Sequence, residues 1–163
     1  MTNQKSNSQT GFFKIYSINE PLSLPIQPCY SNGSYRITKI VLQKATLWFD
    51  SKSDSAISEN FQVDQNAFLF MINGTIRNNY TPEEIITSSL QGVNYCTVGL
   101  DVRLYDTQGT FVNTLTRGTP LHGFELKLKS GEETYFEVPF VTSTRDVAYF
   151  EICIIYLEPL RLY

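Results

Sequence analysis

The stretch Val147-Ala-Tyr-Phe-Glu-Ile-Cys-Ile-Ile-Tyr-Leu157 is apolar at nearly every position, with Glu151 its one charge. A strand with one wet face alternates apolar and polar residues. One that is apolar on both faces belongs in the middle of a covered sheet or at an interface. This segment therefore predicts a central strand, and its neighbours follow from it. Upstream, Val98, Leu100, Val102 and Leu104 alternate with Gly99, Asp101, Arg103 and Tyr105, the pattern of a half-buried strand over Cys96–Tyr105. Turn residues at Asp106–Gly109 lead to a return over Phe111–Leu115. Phe124, Leu126 and Leu128 alternate in the same way with Glu125, Lys127 and Lys129, closed by Ser130-Gly131. Tyr135–Val141 is a further strand, and Pro139, which has no amide to give a ladder, puts it at an edge or a bulge.

Nearer the N-terminus, Ile37–Phe49 is long, apolar and β-branched. Phe61–Ile72 is a second candidate, and Asn73-Gly74 after it carries a tight-turn signal. Thr81-Pro82-Glu83-Glu84 reads as a helix start, with Thr as N-cap, Pro in the first turn and Glu placed for a capping box. That helix ends by about Leu90, before Gly92. Counting gives about eight strands at the spacing of an all-β sandwich or barrel. Long strands with a helix in one connection favour a single jelly-roll-like antiparallel β-sandwich. The Cys–Trp–Cys arrangement of antibody domains is absent.

The chain has 163 residues, enough for one domain, and divides into three parts. Residues 1–10 form a polar arm, 11–34 an extended proline-containing segment, and 35–163 the sandwich. Pro21, Pro25 and Pro28 keep the middle part out of a regular ladder. Its apolar residues Phe12, Phe13, Ile15, Tyr16, Leu22, Leu24 and Ile26 need cover, either from the chain's own domain or from another subunit. They are the candidate subunit-interface residues. A net charge of −3 and a pI near 5.1 argue against nucleic-acid binding and against docking on an anionic membrane. No apolar run is long enough for a membrane helix, and Met1–Thr10 lacks the apolar core of a secretory signal. Cys29, Cys96 and Cys153 are odd in number and far apart, which predicts buried reduced thiols in a reducing compartment.

Residues able to do chemistry are scattered. His122, in the loop Gly118-Thr-Pro-Leu-His-Gly123, is the single histidine and has no visible triad or metal partners. Glu83-Glu84 fits a helix start and Glu132-Glu133 a solvated turn. Asn32-Gly-Ser34 and Asn73-Gly-Thr75 read as turns. Asp50, Asp54, Glu59 and Asp64 lack calcium-loop spacing. No catalytic, cofactor-binding or metal residue is expected, and the chain does not read as an enzyme. Trp48, in an apolar strand, is expected in the core. A stacking platform of Trp48, Tyr30, Tyr35, Tyr80, Tyr95 and Tyr105 keeps a carbohydrate-binding or host-recognition module as the alternative.

Thr46-Leu-Trp-Phe-Asp-Ser51 and Glu151-Ile-Cys-Ile-Ile-Tyr-Leu-Glu-Pro-Leu160 resemble strand segments of small single jelly-roll vertex proteins, pentons and spikes, of icosahedral phages and viruses. The resemblance implies a structural virion component, a capsid vertex, spike or minor capsid protein that acts through subunit contacts. Its partners would be further copies in a pentamer or trimer, together with other capsid proteins, and its place the virion after synthesis in the host cytoplasm. It implies no catalytic residues. With Lys5 the only basic residue of the arm, genome contact is not expected.

Overall fold

The computed structural model describes residues 15–21, 27–36, 38–49, 68–114 and 123–160. In chain order these form β1 (Tyr16–Ser17), β2 (Cys29–Tyr30), β3 (Ile40–Phe49), β4 (Phe68–Asn78), α1 (Pro82–Ser88), β5 (Tyr95–Tyr105), β6 (Phe111–Val112), β7 (Gly123–Lys129), β8 (Glu133–Thr142) and β9 (Tyr149–Glu158). The expected all-β antiparallel sandwich is what forms. One sheet runs β3-β4-β8. The other is built on β9 and β5, with β1 and β2 sharing the outer edge of β9, and β6 and β7 sharing that of β5. The antiparallel pairs β3–β4 and β5–β7 each stay within a sheet. The chain then returns to pair β8 with β4 and β9 with β5, a Greek-key path.

β9 is central, as its two apolar faces require. Phe150, Ile152, Ile154 and Leu157 point into the sandwich, opposite the inward row Val98, Leu100, Val102 and Leu104 of β5. Ile40, Leu42, Leu47, Phe70, Ile72 and Phe140 close the core from the other sheet. Phe124 and Phe136 meet across the layers with ring centres 5.4 Å apart. Pro139 lies on β8, an edge strand among the described residues, where its missing donor leaves no gap in a ladder.

The helix start is as read. The Thr81 side chain accepts from Glu84 N, and the Glu84 carboxylate accepts from Thr81 N at 3.0 Å. Lys39 also pairs with Glu84, and this contact, with the Thr81 amide, holds the Glu84 carboxyl below its ordinary range. Ile85 is the one buried residue of α1 and pins it to the core.

Asn73-Gly74 does not turn the chain. β4 runs straight through it, with Asn73 opposite Thr46 and Glu137, and Gly74 opposite Ala45 and Phe136. The glycine answers crowding instead. β3 carries an extra residue, Gln43, between its partners Leu42 and Lys44, and this bulge brings the Lys44 carbonyl over Gly74. The other part of the candidate strand, 61–67, lies outside the described residues, as does Ile37.

The proline-containing segment is not separate from the sandwich where it is described. Tyr16 and Ser17 pair antiparallel with β9, and Cys29 and Tyr30 pair with it in parallel. Each ladder is two residues long, as a segment broken by Pro21, Pro25 and Pro28 allows. Arm residues 1–10 lie outside the described residues.

Candidate functional site

Of the candidate interface residues, Tyr16 spends its ring on its own domain. It is 8% exposed and stacks on Phe150 at 4.8 Å. Ile15 is half-buried beside it. Phe12, Phe13, Leu22, Leu24 and Ile26 lie outside the described residues, as do His122, Asp50, Asp54, Glu59 and Asp64. Trp48 corrects another expectation. It follows the inward Leu47 along β3, so strand alternation turns it to the outer face, half-buried opposite Met71. The tyrosine platform does not assemble on one exposed face. Tyr30 is buried, Tyr80 faces Thr38, and Tyr105 is tied to a carboxylate.

That carboxylate belongs to the main chemical cluster of the described residues, on the outer face of the β9–β5 sheet. Cross-strand register builds it in rows. Cys29 and Asp101 flank Cys153, Arg103 faces Glu151, and Tyr105 faces Tyr149. Glu151 is 1% exposed, and its Oε2 accepts a 2.8 Å hydrogen bond from the Tyr105 hydroxyl. Its Oε1 is buried without a hydrogen-bond partner. Arg103 reaches Asp101 Oδ2 at 3.4 Å through Nε and donates from Nη2 to the Ser31 carbonyl at 2.8 Å. The guanidinium thereby joins the turn after β2 to the sheet.

Cys29 and Cys153 are joined in a disulfide across 124 residues, with Cα atoms 4.3 Å apart. This corrects the expectation of free thiols there. Cys96, on the inner face of β5, is the free and buried cysteine expected. Spacing along the chain cannot reveal the bridge. It depends on β2 coming back to lie parallel on β9.

Burial pushes the Glu151 carboxyl above its ordinary value, with a smaller push from Asp101, while the Tyr105 hydrogen bond and Arg103 oppose it. A carboxyl raised by folding stabilises the native state below its unfolded value, and that contribution is lost as pH rises through the folded one. Wild type should therefore lose stability relative to Glu151→Gln as pH rises above the ordinary carboxyl value of about 4. Urea midpoints for both proteins as pH is raised from there are the check. A flat difference, or one that grows in favour of wild type, would sink the assignment.

A second feature lies at the end of the same face. An open groove of about 500 Å³ runs between the loop after α1 and the sheet, lined by Leu90, Val93, Tyr95, Thr97, Glu158 and Pro159 among others. Leu90 is 104% exposed on its rim, and Ile86 on the preceding helix is 47% exposed. Tyr156, the next outward residue of β9 before Glu158, lies over Gly99 and hydrogen-bonds Glu125. Ile155 is the extra residue of a bulge in β9, which turns it out of the core.

Among the described residues no helix is long and apolar enough to cross a membrane. No protein-family model matches the chain, and no curated protein sequence matches it. Among solved structures it is similar to a DUF1425 family member from Shewanella sp. pv-4, at 13% identity and a TM-score of 0.38, over 73% of this chain and 90% of that one. It is also similar to β-glucuronidase 2 of Bacteroides uniformis, at 15% identity and a TM-score of 0.37, over 72% of this chain and 14% of that one. Neither likeness bears on what the chain does.

Proposed function

We propose that the chain is a structural subunit that works by contact with further copies of itself. In the narrower form of the proposal it is a vertex, spike or minor capsid component of a virion, made in the host cytoplasm. The observation that carries the reading is the groove end of the β9–β5 sheet, where Leu90 is fully exposed beside Val93, Tyr95 and Pro159. Exposed apolar side chains gathered in a groove among polar ones, here Ser88, Ser89, Gln91 and Glu158, mark a contact site more often than bare solvent. The narrower form draws on the segment Glu151–Leu160, which resembles strands of small pentameric spike proteins and supplies Glu158 and Pro159 to that groove.

Light scattering on the full chain tests this. The expected mass is a small multiple of 18.6 kDa, fivefold or threefold in the narrower form. Leu90→Glu, which places a charge on the rim, should return the chain to a monomer. Phe111→Glu, on the short β6 at the opposite end of β5, should leave the assembly intact. A wild-type monomer at high protein concentration, or an assembly indifferent to Leu90→Glu, would refute the reading.

A further inference from the structure

The ligand atoms of Cys29, Glu151 and Cys153 all lie within 4.8 Å of one another, and all three residues are buried. In the oxidised chain the two sulfurs are bonded to each other. Reduction leaves two thiols and a carboxyl packed together away from water, and one oxygen of that carboxyl, Glu151 Oε1, has no hydrogen-bond partner. Buried polar atoms are rarely left in that state, and one cation can satisfy all three groups at once. We propose that the reduced chain binds one thiophilic dication of the zinc type here, held by Cys29 Sγ, Cys153 Sγ and Glu151 Oε1. The same pair of sulfurs is thus a bridge in one redox state and a metal site in the other.

The distances suit the ion. Zinc–sulfur bonds of about 2.3 Å and zinc–oxygen bonds of about 2.0–2.2 Å set tetrahedral ligands roughly 3.4–3.9 Å apart. The three atoms lie within 4.8 Å of one another, so after the bonded sulfurs separate only small shifts are needed to reach that spacing. Once the bridge is cut, rotation about the Cα–Cβ bonds of two residues on neighbouring strands separates the sulfurs, with no need for the strands to part. The donor set is also selective. Two thiolates with one carboxylate favour zinc over the hard ions magnesium and calcium. Asp101 beside Cys153 adds negative charge that favours a dication, and Arg103 opposite Glu151 tempers it. A water would complete the tetrahedron.

The balance is closed. A small dithiol cleaves the protein S–S bond and is itself oxidised to a disulfide, so each cysteine gains one electron and one proton. Metal binding then releases both thiol protons to solvent, with the carboxyl proton where Glu151 carries one. The proposal does not depend on the self-assembly reading, since its residues lie away from the groove.

Cobalt(II) is the probe, added to the full chain reduced with a phosphine and freed of oxygen. One equivalent should give a thiolate-to-cobalt charge-transfer band, and zinc should abolish it by displacement. The chain left oxidised should give no band. Glu151→Gln should weaken binding by about tenfold or more, and Cys96→Ser should change nothing. A reduced chain that unfolds or shows no band overturns the proposal. So does a band in the oxidised chain or one that survives Cys153→Ser. The oxidised wild type, with the same fold and its sulfurs unavailable, keeps the test decisive if Cys153→Ser does not fold.

Discussion

Phe150→Ala is expected to lower the unfolding free energy by about 4 kcal/mol, within a range of about 3–5 kcal/mol for deletion of a buried phenylalanine. Phe150 is fully buried, lies on the central strand β9, and sits between Leu104 of β5 and Tyr16 of β1. Truncation removes the ring from both neighbours and leaves a void that three strands border. The β-sheet backbone on either side cannot collapse into it without breaking the β9 ladders, so the cost should lie towards the upper part of the range. A second, local effect is expected. β1 is held by two residue pairs and the stack of Tyr16 on Phe150 at 4.8 Å. Losing the stack should speed hydrogen exchange at the Ile18 amide, which donates to the Ala148 carbonyl at 2.9 Å. Urea unfolding with the bridge intact measures the first effect. A loss below about 1.5 kcal/mol would mean that the ring does not fill a closed core.

Much of this architecture was legible because it is written in short-range pattern. The alternation in β5 and β7, the two apolar faces of β9 and the capping box at Thr81 each state a local requirement that the fold meets. Strand lengths, which favour a jelly roll, do not say which strands pair, and the β3–β4 and β5–β7 pairings are set by contacts along many residues. Asn73-Gly74 misleads for the opposite reason. Its local turn preference is outweighed by two ladders that run continuously past it on either side. The apolar neighbours of Trp48 suggest the core, whereas the period of two alone decides its face.

The chemical cluster was harder to read. Glu151 stands out in the sequence as the single charge of an apolar strand, which was a usable signal. Its partners were not visible, because Tyr105 is 46 residues away and comes into reach only through the β5–β9 register. The same register sets Cys153 beside Asp101, while Cys29 arrives on a two-residue parallel ladder with no pattern of its own. The groove residue Leu90 is similarly silent in sequence, since an exposed leucine and a buried one look alike there.

Gly74→Val is expected to cost about 3 kcal/mol or more, at or above the usual range for overpacking a core. A Cβ at Gly74 would stand 2.2 Å from the Lys44 carbonyl oxygen, 2.9 Å from Phe136 Cζ and 3.1 Å from Ala45 Cα. Two of these three are backbone atoms of β3, fixed by its ladder with β4. Relief requires β3 to move or its bulge to rearrange, and β-branching at valine blocks the small rotations that a lone methyl could exploit. Gly99→Ala is the control that separates distance from rigidity. Its Cβ would also fall 2.2 Å from a neighbour, but that neighbour is the ring of Tyr156, which is 36% exposed and free to swing outward. The control should cost less than about 1 kcal/mol, mostly through the lost hydrogen bond to Glu125. Chemical denaturation of both variants decides it. Equal losses at the two glycines would mean that β3 yields as easily as an exposed side chain, and the bulge would then not be the reason for the glycine.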